Sequence, residues 1–145
     1  MSVKRMDNVA VIVADLDATI EFFAELGLEL EGRGHVEGPW VEGVIGVDGA
    51  RCEIAMMRAP DGGAAVEITR FEHPDVIKPT PSEPQVNTLG LHRMMFAVDD
   101  IDDTVARLRA RGAELLRSVE QYQASYRLCY LRAPEGFIIA LAEEL

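Results

Sequence analysis

Apolar and polar positions follow two rhythms along this chain, and the whole succession occurs twice. A short apolar run at 8–13, rich in Val and Ile, has the length and composition of a β-strand. At Asp15 the rhythm changes to a helical one, in which Leu16, Ile20 and Phe23 fall on one face. Asp15 is placed to cap that helix, Asp17 lies in its first turn, and Gly27 supplies a left-handed stop. Strand-like runs follow at 28–36, 52–58 and 65–71. The order then returns: a run at 92–98, a helix capped by Asp100 with Ile101, Val105 and Leu108 on its buried stripe, a stop at Gly112, and runs at 114–119, 126–132 and 137–143. Both halves read βαβββ.

The repetition extends to residue identity. Val11-Ile-Val-Ala-Asp15-Leu16-Asp17 recurs as Phe96-Ala-Val98-Asp-Asp100-Ile101-Asp102 at an offset of 85, and Met57-Arg58-Ala59-Pro60-Asp61-Gly62 recurs as Leu131-Arg132-Ala133-Pro134-Glu135-Gly136 at an offset of 74. Such self-similarity marks two copies of one supersecondary module. The fall in offset leaves 11 extra residues in the first copy, within Glu37 to Gly49. Pro39 begins a short helix there and Gly46 ends it, which sets Trp40 at the sheet margin either as a lid or as a locally packed or dimer-interface residue. Between the copies, Pro74, Pro79, Pro81 and Pro84 make 72–89 extended and stiff. The expected organisation is one α+β domain, 1–145, with module one at 1–71, a crossover at 72–89 and module two at 90–145.

With 145 residues, 48% of them hydrophobic, the chain has enough apolar material for one real core. Its net charge of −11 argues against nucleic acid and against an anionic membrane face, both of which need basic surface. The first apolar run stops after six residues at Asp15, so no signal peptide or membrane span is expected there and a cytoplasmic location follows. Cys52 and Cys129 have no CxxC spacing, which removes a zinc ribbon or disulfide framework from consideration. No nucleophile with a neighbouring base and no phosphate-binding Gly-rich loop is present.

The paired βαβββ pattern, the Val-x-Asp-Leu-Asp and Val-Asp-Asp-Ile-Asp turns and the Arg-Ala-Pro-Glu-Gly hairpin resemble the vicinal-oxygen-chelate superfamily, which holds glyoxalase I, bleomycin-resistance proteins and extradiol dioxygenases. The resemblance covers nearly the whole chain. It implies a curled mixed sheet, built from two tandem βαβββ modules, that forms a cup around a divalent metal. Carried onto this sequence by counting along the repeat, the family's metal-ligand positions are Asn8, Glu67, Arg93 and Ala140. Only Glu67 is a good ligand. Arg has no lone pair to donate and Ala has no donor, so no cofactor is expected. If a metal binds, Glu67 and His92 are the candidates, although strand alternation turns His92 away from the face of Arg93.

Arg93 instead offers a fixed cation, suited to an anionic or carbonyl oxygen, with Glu67 as a base or acceptor; alternatively the two form a structural ion pair. Ten residues before Ala140, where the resemblance to fosfomycin-type enzymes implies a pocket-lining aromatic, stands Tyr130, and Tyr126 shares its strand face; Asn8, Glu67, Arg93, Tyr126, Tyr130 and Trp40 make up the expected ligand-binding set. The resemblance implies a protein that binds a small molecule in the cup without the usual metal. A lyase or isomerase of the same superfamily is the alternative, metal-free through Arg93 and Glu67 or metal-dependent with relocated ligands. Glyoxalase I activity is not expected. A homodimer is the default partner state, because the edges of a curled sheet benefit from being covered.

Overall fold

The computed structural model describes residues 2–145, which divide into a first compact unit ending at Ile77 and a second running Lys78–Leu145. The division falls inside the segment read as a crossover.

In the first unit the chain runs β1 (Asn8–Ile12), α1 (Leu16–Leu26), β2 (Glu29–Glu37), α2 (Pro39–Ile45), β3 (Arg51–Arg58) and β4 (Ala65–His73). The strands form a sheet in the order β1-β4-β3-β2, with β1 parallel to β4 and the other pairs antiparallel. Asp15 caps α1 by accepting from the Ala18 amide at 3.0 Å, and Gly27 ends it at φ 117°. Leu16, Thr19, Phe22, Phe23 and Leu26 are the buried positions of that helix. Ile20, expected on the stripe, is only half-buried, because the two phenylalanines draw the packed face round towards Thr19 and Phe22. The helix packs on β3 and β4, whose Ala55, Met57, Val66 and Ile68 form one row of the sheet; all four are almost wholly buried. Pro39 opens α2 and Gly46 closes it at φ 75°, as the sequence predicts.

The second unit repeats the plan with β5 (Arg93–Ala97), α3 (Ile101–Ala110), β6 (Glu114–Leu115), β7 (Glu120–Tyr122), β8 (Tyr126–Arg132) and β9 (Ile138–Glu144). Its sheet order is β5-β9-β8-β6, β7 also pairing with β8, and β5 is parallel to β9. Asp100 caps α3 through the Asp103 amide at 3.0 Å, and Ile101, Thr104, Val105 and Leu108 are buried. The helix ends one residue before the expected stop, with Arg111 as its C-cap and Gly112 following at φ 95°.

Of the strand expected at 114–119 only β6, Glu114–Leu115, forms; the chain breaks from the ladder until β7 begins at Glu120. The Ser118 hydroxyl donates to the nearby Glu120 carboxylate. Apart from that break, both halves are mixed α+β modules of βαβββ type.

Candidate functional site: two open sheet faces

Each sheet has one face against its helix and one face without a helix. Register assigns the residues to them. In the first unit Asn8 pairs with Ala65, Ala10 with Glu67 and Ile12 with Thr69, while Glu67 pairs on its other side with Met56. Asn8, Ala10, Ile12, Glu67, Thr69 and Met56 therefore share the face turned away from α1. Asn8 and Ala10 are exposed, and Ile12 retains 51% of its surface. Glu67 is oriented by its neighbour two residues on, accepting from the Thr69 hydroxyl at 2.8 Å. Asn8, Glu67 and Thr69 thus stand among the apolar Ala10, Ile12 and Met56, a few polar groups on an apolar wall as in many small-molecule surfaces.

In the second unit Arg93 pairs with Ile138 and Met95 with Ala140, and Ala140 pairs on its other side with Tyr130. Arg93, Met95, Ala140 and Tyr130 share one face, and Tyr126 lies on it four residues away along β8. The Arg93 guanidinium carbon sits 4.6 Å from the centroid of the Tyr130 ring. Such a stack favours a guanidinium over a hydrated ammonium, holds its plane in a fixed orientation and leaves its edge donors available. Met95, next to it, is 57% exposed.

Trp40 belongs to neither face: it lies on α2, beside the edge strand β2, and 64% of its surface is exposed. His92 precedes β5 with the parity of Met94 and Phe96, opposite to Arg93, and its Nδ1 is buried without a hydrogen-bond partner among the described residues. Glu143, on the helix-side row, has a structural partner in the Ile101 amide, from which it accepts at 2.8 Å.

His35 and His73 lie within β2 and β4. His35 Nδ1 is 2.9 Å from Glu72 Oε1, a strand-to-strand contact that the sequence reading missed. Also missed was the role of the arginine in the repeated Arg-Ala-Pro-[Asp/Glu]-Gly hairpin. Arg58 donates to the Gly63 carbonyl and Arg132 to the Gly136 carbonyl, so each clamps its own turn. The recurrence of Arg at the same place in both hairpins was the available signal.

The donor set does not fit a divalent ion in the manner of a four-ligand centre. At the corresponding positions the first unit offers Asn8 and Glu67, while the second offers a guanidinium, which repels a cation, and a methyl group. Among the described residues, no three His, Cys, Asp or Glu side chains converge as a metal would require. Cys52 and Cys129 are buried and unbridged. Burial raises both thiols, Cys129 to about 11, so neither is a ready thiolate.

Two modules of this topology, each with an open face carrying a few polar side chains, define a glyoxalase-type fold. Residues 5–141 match the Glyoxalase/Bleomycin resistance protein/Dioxygenase superfamily, and the chain belongs to that superfamily. A solved glyoxalase family protein from Bacillus cereus is 51% identical and superposes with a TM-score of 0.95 over 100% of this chain and 97% of that one. Protein YaeR of Escherichia coli (strain K12), itself uncharacterised, is 26% identical over 99% of both chains. TnmS3, an antibiotic binding protein from Streptomyces sp. CB03234, shares the fold at a TM-score of 0.64, with 18% identity over 100% of this chain and 99% of that one.

Proposed function

We propose that this chain is a small-molecule-binding member of its superfamily that works without a divalent metal. The observation that carries the reading is Arg93 over the Tyr130 ring at a position where the family resemblance implies a metal ligand. A permanent cation there takes over the electrostatic task of the ion, attracting a carbonyl, carboxylate or phenolate oxygen through directional donors. Glu67, oriented by Thr69, and Asn8 supply acceptors and a donor on the other open face, and Tyr126 and Tyr130 supply aromatic surface. An antibiotic binding protein on the same fold supports a binding role.

The exposed edges of β1 and β5, neither paired on its outer side among the described residues, support assembly as a homodimer, to be read by sedimentation. The two unbridged thiols support a reducing, cytoplasmic setting.

The test is a thermal-shift screen of oxygen-rich metabolites and antibiotics in the presence of a chelator. A ligand at a hundred times its Kd raises stability by about 2.7 kcal/mol, and Arg93→Met is expected to abolish that rise. Binding that requires added metal, or that survives Arg93→Met and Glu67→Gln together, contradicts the proposal. Solvent-deuterium exchange into a bound ligand that is lost in Glu67→Gln decides for the lyase or isomerase reading, with Arg93 stabilising the developing oxyanion.

A further inference from the structure

The outer margins of the two sheets differ. In the second unit the margin is broken into β6 and β7, two and three residues long, whereas in the first β2 continues through nine residues, Glu29–Glu37. β2 pairs with β3 alone among the described residues, and eight of its nine residues are exposed. A long edge strand presents a row of backbone donors and acceptors to another strand, and proteins commonly blunt such an edge by breaking or bulging it. Here the bulge lies near the start, between Leu30 and Gly32, and from Gly32 to Glu37 the pairing with β3 is regular. The regular stretch is the available edge.

We propose that Arg33–Glu37 is the surface through which two copies of this chain join, strand to antiparallel strand, about a two-fold axis at His35. In that register the stretch is complementary to itself. Arg33 of one copy stands opposite Glu37 of the second, and Val36 stands opposite Gly34, where nothing lies within 4 Å of a would-be Cβ and the valine has room. By symmetry each pair occurs twice. Arg33, His35 and Glu37 share one face, and Glu37 already has Arg51 opposite it on β3. Charges therefore alternate across the join: Arg51, Glu37, then Arg33 of the second copy. The Arg33 terminal nitrogens are engaged with Asp17 and Glu53, while its Nε makes no hydrogen bond among the described residues. Each imidazole at the axis is held within its own chain, Nδ1 lying 2.9 Å from Glu72. Nearby registers are worse. An axis at Gly34 sets Glu31 against Glu37, an axis at Arg33 sets that arginine against itself, and an axis at Gly32 falls beside the bulge.

The net charge of −11 makes whole copies repel one another. This margin is a place where the signs nearly balance, with Arg33, Arg51 and Arg70 beside Asp17, Glu37, Glu53 and Glu72. The inference does not rest on Arg93, Glu67 or metal-free binding. β2 also lies at the opposite end of its sheet from β1, so a test at β2 does not read pairing through β1 or β5.

The test is disulfide cross-linking of the full chain under mild oxidation. A residue on a two-fold axis meets its own copy at a distance a disulfide can span. His35→Cys is therefore expected to give linked dimers about tenfold faster or more than Leu30→Cys, which lies on the same strand, 47% exposed, but away from the axis. Cys52 and Cys129 are buried and do not compete. Sedimentation velocity gives a second reading: Glu37→Arg sets like charges opposite each other twice and is expected to weaken association about tenfold or more. Unchanged melting temperatures show that these edge variants are folded. Equal linking rates for the two cysteine variants, or an association state that Glu37→Arg leaves unaltered, overturns the proposal.

Discussion

On its helix-facing row the first unit sets Glu53 directly opposite Arg70, and at the same place the second sets Arg127 opposite Glu143. The pair is kept and its sign is reversed. In both units the row also reaches the first turn of the helix: Arg33 links Glu53 to Asp17 on α1, and Arg127 makes a two-point contact with Asp102 on α3. Opposite charges are all that the packing requires, so either arrangement serves. The open faces behave differently. Asn8 and Glu67 in one unit correspond to Arg93 and the fully buried Ala140 in the other, so the copies differ there in charge and in size. The comparison teaches that the repeat preserves what holds helix to sheet, and that departures between the copies point to the surface left for chemistry.

The largest expected effect compares the two helices at Phe23 and Leu108, which occupy equivalent places and are both 0% exposed. Phe23→Ala is expected to cost about 3–5 kcal/mol and Leu108→Ala about 2–5 kcal/mol, with the phenylalanine the more damaging because α1 packs two aromatic rings, Phe22 and Phe23, edge to face at 5.5 Å. Urea unfolding of both variants measures the order. A reversed order breaks the equivalence of the two cores.

Next comes the hairpin glycine. Gly136 has φ 102°, and a Cβ there would meet the Ser82 carbonyl oxygen at 3.0 Å, whereas Gly62 has φ 79° and open space around it. Gly136→Ala is expected to cost about 2–3 kcal/mol and Gly62→Ala about 1 kcal/mol. Equal melting temperatures for the two would show that the 72–89 segment yields freely at Ser82.

Helix caps sharpen the contrast further. Asp15→Ala removes the one side-chain acceptor seen at the start of α1, while Asp100→Ala leaves α3 with Glu143 on the Ile101 amide. Each loss is expected near 1 kcal/mol, larger in α1, and the difference should vanish when Glu143→Ala is combined with Asp100→Ala.

The smallest effect is electrostatic. Arg70 and then Arg33 hold the Glu53 carboxyl below its ordinary value, and Arg127 does the same for Asp102. A folded-state value below the unfolded one contributes stability above the unfolded pKa, and that contribution fades as pH falls through the folded one. Stability should therefore drop on acidification from about pH 4 downward, and less in Glu53→Gln. These groups are solvent-screened, so salt should blunt the effect.

Much of this was legible in the sequence because each feature left its own periodic mark. Asp15, Gly27, Asp100 and the Pro39–Gly46 insertion were readable from capping and turn chemistry, and Met95 beside Arg93 and Tyr126 beside Tyr130 from alternation, whereas Arg93 and Tyr130 themselves stood out only through the family resemblance. Ile20 was misassigned because a single helical period cannot show that Phe22 and Phe23 will dominate the packing. The early end of β6 at Leu115 left no mark in the hydropathy pattern. The strand-to-strand contact of His35 with Glu72 depends on pairing across β3, which no local pattern carries.

The central claim is that a guanidinium on an aromatic ring has replaced a metal in this copy of the fold. Its most direct test is elemental mass spectrometry of untagged protein, before and after incubation with divalent ions and removal of excess. The account predicts metal far below one equivalent per chain, unchanged in Glu67→Ala. One chelator-sensitive equivalent, lost in Glu67→Ala or in His92→Ala, would contradict it and restore a metal enzyme with relocated ligands.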